Sequence, residues 1–386
     1  MAAMPVERVP SVRLVPDSQS VLTSLGLLAD MAGTWEGHGF NLIARPDHEQ
    51  KENLYLQLNQ TDETLKFDPI GSAIPNRGFG QNDIELFGLT YLQKIHDAPT
   101  GAALHIEPGI WITQPETTYP SEVPPQGEQI VARMASIPHG NAVLARGIAS
   151  HFNGPPTLEK AGEKYAFSLF PSFNSTPFPE NTPFLAAGSS ELASKPKPPR
   201  FEQYNLAVAA GPGNARTPFK TTEPDLPAAI DGVPMQDVVD DPIRLLQAVI
   251  EKQKKDGHVF EGTVLNIATR AELRFFNEVN KAILENQPEP PSTPVHVPFG
   301  SGGIENIPFL EGVVPSPPGQ GPNALTATVY ATFWIEKVSH PTHPDFTQLQ
   351  YAQMTVLDFG ILAALPKLVP ISWPHISVAT LRRSFL

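Results

Sequence analysis

The sequence predicts an all-β protein: roughly ten antiparallel strands closed into a barrel, interrupted by long irregular insertions and carrying at least one helix. Three observations lead there. Pro 43 and Gly 28 are spread through 386 residues, and because each Pro removes a backbone donor and fixes φ, long helices cannot run through most of the chain. Apolar and polar residues alternate over short runs, as in Leu54, Leu56 and Leu58 against Tyr55, Gln57 and Asn59. That alternation is the mark of an antiparallel sheet with one buried and one wet face. The strand-like runs fall into an early and a late group with no internal repeat, which disfavours propellers and solenoids and favours a sheet closed by its own ends.

Residues 1–30 read as an N-terminal extension, without the basic start and apolar core of a secretory signal. Residues 31–386 read as a single barrel domain. Its early strands are predicted at His38–Ile43, Asn53–Asn59, Thr64–Asp68, Leu86–Lys94, Ala102–Ile112, Gln129–Ile137 and Ala142–Ala149. Residues 151–258 and 287–323 are expected to be insertions packed on the barrel. The first is Pro-dense but repeats Phe167, Phe170, Phe173, Phe178 and Phe184, which suits an ordered excursion better than a tether. Within it Asp241 can cap a helix, Pro242 suits a first helical position, and Ile243, Leu246, Val249 and Ile250 form its apolar stripe. Lys252, Lys254 and Lys255 suit its last turn, and Gly257 a left-handed stop. Leu273–Leu284 fits either a strand or a helix. The late strands are predicted at Glu261–Thr269, Ala327–Val338, Gln348–Leu357 and Ile376–Arg382.

Composition narrows the chemistry. The net charge of −13 leaves no cation excess for nucleic acid or an anionic membrane, and no apolar run is long enough to span a bilayer. The expectation is a cytoplasmic protein. With no cysteine in the chain, disulfides, zinc–thiolate sites, iron–sulfur clusters and thiolate nucleophiles are excluded. No familiar catalytic motif is present; Gly300–Gly303 opens no helix and reads as a turn. Of eleven histidines, His340 and His343 have ligand-like spacing but lie between prolines in a turn, and His139 suits a hairpin. His105 and His375 differ, because each lies in apolar, strand-like sequence. A histidine facing a barrel interior must find a hydrogen-bond partner, a metal or a ligand. Trp35, Trp111, Trp334 and Trp373 lie in or beside such segments, which makes an aromatic-lined pocket plausible.

Three separated motifs, in order, resemble the nitrobindins, haem-binding barrels of the lipocalin or calycin type. Gly33-Thr34-Trp35-Glu36-Gly37-His38-Gly39 is similar to their GxWxGxG opening. Leu89–Gln93 followed by His105-Ile106-Glu107-Pro108-Gly109-Ile110-Trp111 resembles their central hairpin. Leu349–Met354, then Pro374-His375-Ile376 and Ala379–Arg383, resembles their C-terminal strand pair. The matching segments cover about a third of the chain, so the chain would be an enlarged member with long insertions. The resemblance implies a calycin-like barrel holding haem b in a cleft, with His375 as the iron ligand. Trp35, His105, Trp111, Met354 and Trp373 would surround the porphyrin, and Arg382 or Arg383 would meet a propionate. The chemistry implied is metal-centred, on NO, peroxynitrite or a peroxide, as in a peroxynitrite isomerase or a peroxidase.

Two alternatives stand beside it. One is a haem-free, lipocalin-like carrier of an apolar small molecule, in which His105 and His375 only orient a polar ligand atom. The other is a lipocalin-like enzyme of secondary metabolism, for which His105 and Glu107, with Arg77, are the candidate catalytic groups.

Overall fold

The computed structural model describes residues 18–47, 49, 52–78, 80–118, 121–137, 141–158, 171–173, 176–177, 202–220, 222–269, 304–306, 324–360 and 370–384. Ten long strands form a closed antiparallel barrel. They are β1 (Gly33–Asp47), β2 (Glu52–Pro69), β3 (Gly88–Asp97), β4 (Ala103–Gln114), β5 (Glu128–Ser136), β6 (Asn141–Asn153), β7 (Val259–Ala268), β8 (Ala324–Ser339), β9 (Phe346–Gly360) and β10 (Pro370–Ser384). Each strand pairs with the next in chain order, and β10 returns to β1. In the closing pair Thr34 stands opposite Ser384 and Ile43 opposite His375.

Period-two alternation sorts residues between the two faces of the barrel wall. Inward positions such as Leu65, Phe67, Leu89, Trp111, Val131, Phe333, Leu349 and Leu381 form one apolar core. A helix α1 (Ser18–Leu25) and a 3₁₀ turn (Gly26–Met31) plug that end of the barrel. Leu25, Leu28 and Met31 are fully buried there, and the Trp35 indole N–H donates to the Met31 carbonyl at 2.8 Å.

Outward positions of β1, β2, β9 and β10 are covered rather than wet. Phe40, Leu42, Leu56, Leu58, Met354 and Val378 pack against a second layer that carries α2 (Met235–Asp240) and α3 (Arg244–Lys255). A two-residue strand, Ala215–Arg216, runs parallel to β2 beside Tyr55 and Leu56. It occupies an edge that β3 leaves open, because β3 pairs only with Thr61–Pro69.

Two boundaries differ from expectation. Asn53–Asn59 and Thr64–Asp68 are one strand, because Thr61 and Glu63 between them are inward-facing polar residues rather than a turn. The helix begins at Arg244, and Asp241 ends α2 instead of capping α3. Its stop at Gly257, with φ 89°, is as expected. The phenylalanine side chains of the first insertion, Leu273–Leu284, His139, Gly300–Gly303 and most of 287–323 lie outside the described residues.

Candidate functional site

Above the apolar half of the barrel interior, the inward positions become polar. In β4 the residues His105, Glu107, Gly109 and Trp111 alternate onto the same inner face, which gives the His-x-Glu-x-Gly run its structural sense. Glu107 is fully buried and Arg133 of β5 is 2% exposed. The Glu107 Oε1 atom takes an Arg133 Nη2–H and the Tyr91 hydroxyl, and Arg133 Nε–H donates to the Tyr91 oxygen at 2.8 Å. The other Glu107 oxygen lies 3.1 Å from His105 Nε2. Across the barrel, Arg133 Nη1 donates to Gln353 Oε1 at 2.7 Å. Gly109 is required beside this cluster, because a Cβ there would overlap the Tyr91 ring.

A second group adjoins the first. Glu63 of β2 accepts from the Tyr351 hydroxyl at 2.6 Å, from Thr61 at 2.9 Å and from Gln93 at 3.3 Å. Burial raises the Glu63 carboxyl above its ordinary range, against the pull of those donors and of His105. Glu107 behaves oppositely. Burial works to raise it, but Arg133, with His105 and Tyr91, overrules that and holds it at about 2. Glu107 therefore stays ionised and orients the His105 ring, while burial favours the protonated form of Glu63.

His375 lies on the inner face of β10, where the β1–β10 pairing ends. Its ring bonds to the Ala44 backbone, while Nε2 is enclosed and has no partner. Burial, and then the field of Arg45, lowers the imidazole to about 4, so it is neutral near pH 7. On β1 the Oδ1 atom of Asn41, a residue 5% exposed, also lacks a partner. Asn41 stands opposite Ser377, one inward position from His375. Gln353 also stands opposite Ser377, so the Arg133 layer lies diagonally below His375, about 7 Å away by strand geometry.

The sequence-predicted residues do not all meet at His375. Trp35 lies eight register positions from Ile43 along β1, roughly 26 Å at strand rise, and belongs with Trp111 to the plugged end. Met354 packs in the outer layer, whereas Trp373, buried and two residues before His375, shares the His375 face of its strand. Arg382 stacks on Phe346 at 3.4 Å, and Arg383 lies over Trp35 and donates to the Ala32 carbonyl. Arg77 pairs with Asp83 on an exposed hairpin. Only His105 and Glu107 are in direct contact. Reasoning from sequence missed Glu63, Arg133, Tyr91, Tyr351 and Gln353, because an isolated polar residue in an alternating run reads as solvent-facing. His340 and His343 stack at 4.2 Å, and both His340 nitrogens are engaged in turn hydrogen bonds. Among the described residues, no group of three or more His, Asp or Glu is arranged to hold a metal ion, and no helix is long and apolar enough to cross a membrane.

No protein-family model matches the sequence, and no curated protein matches it. Among solved structures, the crystal structure of Rv2717c from M. tuberculosis aligns over 95% of this chain and 98% of that one, with 9% identity and a TM-score of 0.29.

Proposed function

We propose that the barrel binds haem b through His375. The observation that carries this reading is the enclosed, partnerless Nε2 of a neutral imidazole on the inner face of β10. A neutral imidazole with an unpartnered ring nitrogen is a ready donor for iron. A buried acceptor left bare otherwise costs free energy on the order of 1–3 kcal/mol. The donor suits iron; of the aromatic surround expected from sequence, Trp373 is beside it, while Trp35 and Trp111 are at the plugged end. When bound, haem would supply metal-centred chemistry on NO, peroxynitrite or a peroxide. The chain's own contribution is to keep the ligand ring unprotonated by burial and to place Gln353 and Arg133 below it.

The test is spectroscopic. Hemin added to the purified protein gives a Soret shift, and His375→Ala abolishes it. No shift in the wild type, or an unchanged spectrum in the variant, would overturn the reading.

A second reading, a haem-free barrel enzyme or carrier, is favoured by one feature: the buried polar layer of Glu107, His105 and Glu63. With His105 to carry the proton and Glu107 to orient its ring, a small organic ligand would meet them from the open end. A co-purified organic molecule and no porphyrin in native mass spectrometry, with turnover lost in His105→Ala and Glu107→Gln, is its expected result. Turnover that survives both substitutions removes the assignment.

A further inference from the structure

At the mouth of the barrel a cavity of about 270 Å³ lies between the first half of β2, the β3–β4 turn and the segment 217–227. One wall is a chain of hydrogen bonds. Arg45 Nε donates to Gln57 Oε1 at 3.4 Å, Gln57 Nε2 to Asn59 Oδ1 at 2.9 Å, and Asn59 Nδ2 to Asp97 Oδ1 at 2.9 Å. The other Asp97 oxygen takes the Thr100 N–H at 3.2 Å and its hydroxyl at 2.5 Å. Another wall is Glu223, which accepts from the Tyr55 hydroxyl at 3.1 and 3.2 Å and from the Phe219 N–H at 2.7 Å. Polar walls bonded to one another keep their shape without a ligand, which is the condition for a preorganised site.

Charge then selects the ligand. The lining carries one guanidinium, Arg45, against three carboxylates, Asp97, Glu223 and Asp225. On a chain of net charge −13, that excess draws cations and repels simple anions. Arg45 Nη2 has no hydrogen-bond partner among the described residues, while Nη1 takes the Pro46 carbonyl at 3.2 Å and lies 3.9 Å from Asp47 Oδ2, and Nε takes Gln57. The guanidinium lies 4.8 Å from the centroid of the Tyr55 ring whose hydroxyl meets Glu223. One charge therefore lies over the Tyr55 ring and the opposite charge at its hydroxyl. Leu58, Leu104, Leu226 and Pro227 complete the lining with apolar surface.

We propose that this cavity binds a small zwitterion of amino-acid size with an aliphatic body, its ammonium at Asp225 and Glu223 and its carboxylate at Arg45. The site adjoins His375, whose imidazole feels the Arg45 charge, but it does not rest on haem.

The experiment is a thermal-shift screen of the full chain against the α-amino acids, followed by calorimetry with leucine, 3-methylbutylamine and 4-methylpentanoate. The amino acid is expected to bind about tenfold more tightly than the amine, and the acid most weakly. Arg45→Gln should erase the gap between amino acid and amine. Asp225→Asn, at an exposed position that leaves the fold intact, should weaken both amine-bearing ligands. Wild-type protein prepared without hemin should bind the amino acid, so a failure here is distinct from a failure of the haem reading. The proposal is overturned if no amino acid stabilises the protein at about 10 mM, if the acid or the amine binds as tightly as the amino acid, or if neither Arg45→Gln nor Asp225→Asn changes binding.

Discussion

Glu336 of β8 is a carboxyl with no route for its charge. It is fully buried beneath α3, Oε1 has no partner, and Oε2 accepts only from Gln348. Gln348 and Gln253 of α3 exchange reciprocal amide hydrogen bonds at 2.8 and 3.1 Å, so the carboxyl sits under the seam between helix and barrel. Burial, opposed by Gln348 and Arg382, pushes the group from 4.5 up to about 8. Between those values the folded chain keeps a proton that the unfolded chain has lost, so stability falls as pH rises through the window. The slope is about 1.4 kcal/mol per pH unit for this group. Glu336→Gln should match the wild type near pH 4.5 and exceed it in Tm at pH 8.5; parallel pH curves for the two proteins would refute this. No residue-scale cue in the sequence marks Glu336 as buried. Beside the exposed Lys337 it reads as part of the wet end of the strand, and only the α3 layer makes its face dry. His375 was legible because a histidine amid apolar residues has few places to hide. Arg133 was not, since a lone arginine in such a run ordinarily faces water.

At the scale of elements, most strands were visible because period-two burial is a local property of each run. The exception, β2, has a polar middle that resembles a turn. Thr61 and Glu63 face inward to Tyr351 and Gln93, residues separated from them by long stretches of chain. Gly39 belongs to the same story, because a Cβ there would overlap the Val378 carbonyl and come within 2.8 Å of Glu63 Oε1. The GxWxGxG opening thus lets β1 and β10 approach closely while room remains for the buried acid. The α3 helix was legible from its stripe, and its partner face was not. Leu246 is fully buried in the outer cluster between α3 and the barrel. Leu246→Ala should cost about 2–5 kcal/mol in urea unfolding while the barrel strands keep their circular-dichroism signature. A loss below about 0.5 kcal/mol would show that the helix does not depend on that contact.

For the whole molecule, closure is the deciding event. The first strand of the barrel pairs with the last over ten residue pairs, from Thr34–Ser384 to Ile43–His375, so neither strand has a free edge. A chain ending at residue 369 lacks β10 and leaves β1 and β9 unpaired along one side. It should lose its cooperative thermal transition and aggregate, whereas a soluble, cooperatively folding truncation would contradict the closed architecture. The sequence by itself determined the strands, their antiparallel sense, the stop of α3 and the two histidines worth watching, because alternation, turn chemistry and side-chain polarity act over a few residues. Only the tertiary structure decided which face of each strand is covered, that Trp35 and His375 stand at opposite ends, and that Glu63, Glu107 and Arg133 share one interior layer. Those are consequences of register and of long-range packing, which join residues hundreds of positions apart and leave no trace in local periodicity.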